Sequence, residues 1–125
     1  YLADGSKHEL GGGDRDRTKR PRMMRVAWAY ADRVVATSDN PRTEDPEAIL
    51  DEVVAGRVDR LGLVIERDTD RAAAIALAIA RAEARDVVLI AGKGHETYQV
   101  LGTERIDFDD RAVAAAVLEG RGAAA

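Results

Sequence analysis

Two short apolar runs, Val34 to Ala36 and Val87 to Ile90, constrain this chain most, because each stops at a loop dense in turn-forming and charged residues. The first opens into ATSDNPR, Ala36 to Arg42, and the second into AGKGHET, Ala91 to Thr97. Short β-branched runs bounded by turn formers read as buried strands of a parallel sheet. In an open sheet of that class, ligands gather at loops on the carboxyl ends of the strands. These two loops therefore carry most of the functional information.

The segments between the runs have helical periodicity. A helix is predicted from near Pro21, with Met24, Ala27, Trp28 and Ala31 on one face, which makes Trp28 a core residue rather than a stacking platform. It turns at Asp32 and Arg33 into a strand, Val34 to Thr37. Asp45 is the expected N-cap of a second helix, with Pro46 in its first position, Ile49, Leu50, Val53 and Val54 on one side and Gly56 as terminator. Leu61 to Ile65 reads as a strand. Asp68 or Thr69 then caps an alanine-rich helix, carrying Ile75, Leu77 and Ile79, that runs to about Ala84. Asp86 to Ala91 is the next predicted strand. Tyr98 to Phe108 reads as a hairpin around Gly102 and Thr103 that extends the sheet antiparallel at one edge. Asp109 caps a last helix bearing Val113, Val117 and Leu118 and ended by Gly120.

Strands alternating with amphipathic helices specify a Rossmann-like, doubly wound α/β fold, mostly parallel with an antiparallel edge hairpin. One strand is missing from that order. It ought to precede the glycine run Gly11, Gly12, Gly13, yet Tyr1 to Leu10 has no strand pattern. Either it lies upstream, or residues 1–10 are foreign to the fold. The expected organisation is a poorly ordered lead-in over 1–10, in which His8 has no role, one domain over 11–120, and a frayed tail over 121–125.

Composition narrows the chemistry. Cysteine is absent and there are two histidines, so no disulfide framework or thiolate metal site is possible and no metal ligands are assigned. No apolar run reaches the roughly 18 residues of a membrane span and no signal-peptide pattern opens the chain, which makes the cytoplasm the default location. The net charge of −4 argues against a general nucleic-acid binder. Asp14 to Arg25 nevertheless holds six basic residues against two acidic ones. That patch reads either as a solvated helix start or as a capture site for a small anion. The triple glycine is likewise either a close-approach loop or a plain flexible one.

In DNPR, Pro41 fixes its own φ and pushes Asn40 toward extended backbone, so Asp39, Asn40 and Arg42 are presented from a stiffened loop. Arginine matches a carboxylate with a planar fork, and an asparagine donates and accepts at once. In GKGHE, Gly92 and Gly94 let backbone approach a ligand, while Glu96 can accept from an ammonium. Arg15 and Arg42 with Glu96 supply what a zwitterion requires. The competing reading is a pair of strand-end turns with incidental charges.

GGGDRDRTKRPRM, TSDNPR followed by EDPEAI, and AGKGHETYQ, in this order and at this spacing, resemble the C-terminal domain of the Mur ligases. The branch they resemble adds the third residue to UDP-N-acetylmuramoyl-L-alanyl-D-glutamate in peptidoglycan synthesis. The resemblance runs from about Gly11 to Leu118, and the DNPR form is that of the subgroup adding meso-2,6-diaminopimelate. It implies that Asn40, Arg42 and Glu96 hold the distal amino-acid end of diaminopimelate, with backbone from Gly92, and that Arg15 takes a carboxylate nearer the reacting amine. Asp39 and Pro41 would support the loop, and His95 would serve the turn or touch the ligand. Lys19 and Arg20 match a segment near the nucleotide side.

The implied reaction activates the D-glutamate carboxylate with ATP, after which the amine of diaminopimelate attacks to form an amide. ATP and Mg²⁺ belong to the whole ligase and to domains other than this one, as does the UDP-sugar dipeptide. This chain has no GxxxxGK[ST] phosphate loop and is not expected to bind ATP or to be a ligase alone. The resemblance falters before Gly11, where no apolar strand stands and glycine fills every position of the run. A free-standing, non-catalytic amino-acid or anion-binding module of the same fold is the alternative, and an RNA-binding role for the basic patch is a third reading, disfavoured by the acidic remainder.

Overall fold

A computed structural model of the chain describes residues 2–3, 19–55, 64–93 and 95–124. Strand β2, Arg33–Thr37, is the axis of the fold. It pairs in parallel with β1, Leu2–Ala3, on one side and with β3, Val64–Asp68, on the other. The β3 ladder runs the full length of β2, from Arg33 opposite Val64 to Thr37 opposite Asp68. The β1 ladder holds two pairs, Leu2 on Val35 and Ala3 on Ala36. The strand that Tyr1 to Leu10 is not expected to supply is thus present at Leu2–Ala3, set by its pairing with β2 rather than by a local apolar pattern.

Alternation along β2 sends successive side chains to opposite faces, and each face builds its own core. Val34 and Ala36 meet Met24 and Ala27 of helix α1, Lys19–Tyr30, and Ile49, Leu50 and Val53 of α2, Pro46–Val54. Val35 meets Ala74, Ile75, Ala78 and Ile79 of α3, Arg71–Arg81, with Val113 and Val117 of α4, Asp110–Ala124, packed behind. Helices on both faces of a parallel sheet make the doubly wound arrangement. The alanines of α3 let it lie close to β2, as small side chains allow.

The caps show why the helices begin where they do. Asp45 Oδ1 accepts from the Glu47 amide at 3.0 Å and Pro46 stands at the first helical position, as the sequence predicts. The third helix is capped by Asp70, which accepts from the Ala73 amide at 3.1 Å, and not by Asp68 or Thr69. Asp68 instead ends β3 and accepts from the Asp70 amide at 2.9 Å, a local turn that sets the true cap. The same helix stops at Arg81 rather than near Ala84, and Arg121 of α4 donates to the carbonyls of Ile79 and Ala82 at its end. Asp109 caps α4 as expected, accepting from the Arg111 amide at 3.0 Å. That helix runs past Gly120 and Arg121 to Ala124, beyond the predicted stop.

Three strand predictions need correction. Of Leu61 to Ile65, only Val64 and Ile65 fall among the described residues, and the strand continues through Glu66, Arg67 and Asp68. These charges are tolerated because β3 is the outer strand of the sheet and each finds a partner. Arg67 donates to Asp51 at 2.8 Å and Glu47 at 2.9 Å on α2, and Glu66 accepts from Arg81 of α3. Burial works against the Arg67 charge, yet these acceptors outweigh it and hold the guanidinium pKa above its ordinary value.

Asp86 to Ala91 forms no ladder among the described residues beyond an isolated bridge position at Ile90. It keeps a strand's alternation, with Val88 and Ile90 packed on the second core while Val87 and Leu89 stand 91% and 56% exposed. The hairpin, β4 Tyr98–Leu101 and β5 Glu104–Asp107, does form around Gly102 and Thr103, but as a two-stranded sheet of its own. Its backbone joins the first loop at a parallel bridge between Arg42 and Leu101.

Candidate functional site

The carboxyl end of β2 runs directly into Ser38, Asp39, Asn40 and Pro41, all buried, before the chain surfaces at Arg42. The second loop, from Ala91, comes beside it. Gly92 has φ of 108°, a conformation that L side chains rarely adopt, which explains glycine there. Lys93 then turns inward and is buried to 1% exposure.

The loops are tied by polar contacts across more than fifty residues of sequence. Lys93 Nζ lies 2.7 Å from Asp39 Oδ1, both side chains fully enclosed, and also donates to the Tyr98 carbonyl. The rings of Tyr98 and Phe108 stand 5.9 and 5.8 Å from the same ammonium. Asn40 Nδ2 donates to Glu96 Oε1 at 3.2 Å while its Oδ1 accepts from the Val100 amide at 2.9 Å. Both ends of the amide are used, and that fixes which way it faces. Gln99 donates to the carbonyls of Asp39 at 2.9 Å and Ser38 at 3.3 Å, tying β4 beneath the first loop.

Arg42 has φ of 55°, the left-handed region, unusual for a residue with a side chain. Its backbone is held there from both sides, its amide donating to the Val100 carbonyl at 3.1 Å and its carbonyl accepting from the Gly102 amide at 2.7 Å. The side chain is exposed at the mouth of the cluster. His95 is also exposed, in a turn closed by the Glu96 amide on the Lys93 carbonyl at 3.2 Å.

Asn40, Arg42, Gly92 and Glu96 are therefore brought to one end of the sheet, with Asp39, Pro41 and His95 around them. Arg15, Arg17 and the triple glycine lie outside the described residues, whereas Lys19, Arg20, Arg22 and Arg25 of the basic patch fall in α1. Lys19 and Arg20 open α1, but their side chains, like that of Trp28, are not among those described. A cleft of about 820 Å³ opens at the other end of β2, beside Arg33, Arg81 and Val87, away from these loops.

Sequence reading missed Lys93, Gln99 and Arg71. Arg71 is buried and donates to Asp110 from Nε at 2.7 Å and from Nη2 at 2.8 Å, and to the carbonyls of Ser38 and Ala91, each at 3.2 Å. A signal existed for it. A cation in the first turn of a helix opposes the helix dipole, and calls for a fixed acidic partner.

Comparison with known proteins gives this geometry a context. The family model for the Mur ligase, glutamate ligase domain, matches residues 9–94. A UDP-N-acetylmuramoyl-L-alanyl-D-glutamate--2,6-diaminopimelate ligase of Parasynechococcus marenigrum (strain WH8102) is 62% identical over 110 residues, 88% of this chain and 22% of the relative. The protein of the same name in Bacillus cereus is 56% identical over 110 residues, with the same shares covered. A solved structure of a UDP-N-acetylmuramoyl-L-alanyl-D-glutamate--2,6-diaminopimelate ligase superposes with a TM-score of 0.83 at 40% identity, over 97% of this chain and 24% of that one. The chain thus spans about a fifth of the length of the curated relatives it matches.

Proposed function

Because the chain belongs to the Mur ligase family through its glutamate ligase domain, we propose that it is the amino-acid-recruiting part of a peptidoglycan-precursor ligase acting in the cytoplasm, with meso-2,6-diaminopimelate as its ligand. The observation that carries this reading is the convergence of Asn40, Arg42 and Glu96 at the carboxyl end of β2. Arg42 would fork the distal carboxylate, and Glu96, oriented by Asn40, would accept from the ammonium beside it. Arg15 would take the carboxylate nearer the reacting amine.

Held at one end, the amino acid would present its other amine to the activated carboxylate of UDP-N-acetylmuramoyl-L-alanyl-D-glutamate. Positioning of this kind supplies a large part of the rate of a bond-forming step between two substrates. Neither ATP nor Mg²⁺ is assigned to this chain, whose sequence has no GxxxxGK[ST] loop. Those groups would be held elsewhere in the ligase, where they supply phosphoryl chemistry.

The test is Arg42→Lys, read by the affinity of the chain for meso-diaminopimelate. A point charge cannot replace two parallel hydrogen bonds, so binding should weaken by about tenfold or more while charge is kept. Equal affinity in the two proteins would remove Arg42 from the site.

A further inference from the structure

The loops that hold Asn40 and Glu96 are anchored to the scaffold by a side chain that belongs to neither. Arg71 is the first residue of α3, a helix whose Ala74 and Ile75 are wholly buried against β2. From that fixed point its guanidinium reaches the carbonyl of Ser38, the residue before Asp39, and the carbonyl of Ala91, the residue before Gly92. Asp110, the first residue of α4, takes the remaining edge of the fork through both carboxylate oxygens.

One planar group therefore sets the separation of the two loop origins and the place where α4 starts. Two other cross-links, Lys93 to Asp39 and Asn40 to Glu96, lie within the loops themselves, and Gln99 and the Val100 amide tie the first loop only to the hairpin. They can keep the loops together, but they cannot fix the pair relative to the sheet. A lysine at position 71 could not do so either, since a single ammonium cannot address two carbonyls and a bidentate carboxylate in one plane.

The geometry points to Arg71 and Asp110 as a positioning pair that holds the DNPR and GKGHE loops in register for amino-acid recognition, a role that rests on the function proposed above. Neither residue touches the ligand on this account. Loss of the pair should loosen the loops without melting the sheet.

Amide hydrogen exchange on the whole 125-residue chain, without ligand, reads this directly for wild type, Arg71→Lys and Asp110→Asn. Exchange of the Arg42, Glu96, Val100 and Gly102 amides should accelerate by about tenfold or more in the variants, while amides in the β2 to β3 ladder and the middle of α3 stay near wild-type rates. A merely structural role would instead speed all of them together through global opening. Uniform acceleration, or loop amides unchanged in Asp110→Asn, overturns the proposal, and Asp110→Asn decides it should Arg71→Lys fail to fold. The affinity for meso-diaminopimelate, measured on the same samples, should fall in step with loop exchange. A folded wild type that does not bind it overturns the substrate reading alone, since exchange is measured without ligand.

Discussion

Arg42 is the residue whose backbone and side chain make opposite demands. The left-handed conformation costs an L-residue about 1–2 kcal/mol, and glycine would remove that cost while adding about 0.5–1 kcal/mol of unfolded-state entropy. Arg42→Gly should thus leave stability within about 1 kcal/mol of wild type by urea titration and abolish binding of diaminopimelate. A large loss of stability would mean that the side chain serves the fold. Lys93 is the opposite case. Its ammonium and Asp39 are enclosed together, and removing one partner strands a buried charge, at a cost of about 3–5 kcal/mol. Lys93→Met should therefore unfold far earlier in urea than wild type, and Asp39→Asn added to it should recover part of the loss. No recovery would show that Lys93 acts through its packing on Tyr98 and Phe108 rather than through its charge.

Among the elements, the hairpin and α4 have testable edges. Gly102, at φ of 62° with its amide on the Arg42 carbonyl, should resist alanine: Gly102→Ala is expected to cost about 1 kcal/mol by thermal unfolding. The Asp109 carboxylate is held below its ordinary pKa, chiefly by the Arg111 amide and then by the Arg111 side chain. A depressed folded-state pKa contributes stability above the unfolded value, near 3.9, that is lost as pH falls through the folded one. The Tm of wild type should therefore drop more steeply below about pH 4 than that of Asp109→Asn. Parallel curves would remove Asp109 from the acid response. The helices were legible in the sequence because their caps and apolar faces are local: Asp45 with Pro46, and Ile49, Leu50 and Val53. The ends of β3 and the course of Asp86 to Ala91 were not, because Arg67 is satisfied by α2, a fact of tertiary packing, and the alternation of Val88 and Ile90 against the second core does not by itself supply a ladder. The meeting of the two loops at one end of the sheet was legible from DNPR and GKGHE, whereas the burial of Lys93 and Arg71 was not, since a charged residue in a sequence reads as solvated until its partner is found.

For the molecule as a whole, β2 divides two cores and delivers the first loop, and the segment after α3 delivers the second to the same end. Among the described residues no helix is long and apolar enough to cross a membrane. The central claim is that this end of the sheet recognises an amino acid with a second zwitterionic end. Calorimetric titration of the purified chain with meso-diaminopimelate, and with L-lysine, which lacks the second carboxylate, tests that claim most directly. The account predicts saturable binding of meso-diaminopimelate and none of L-lysine. Equal binding of both, or no binding of either by a chain that melts cooperatively, would contradict it.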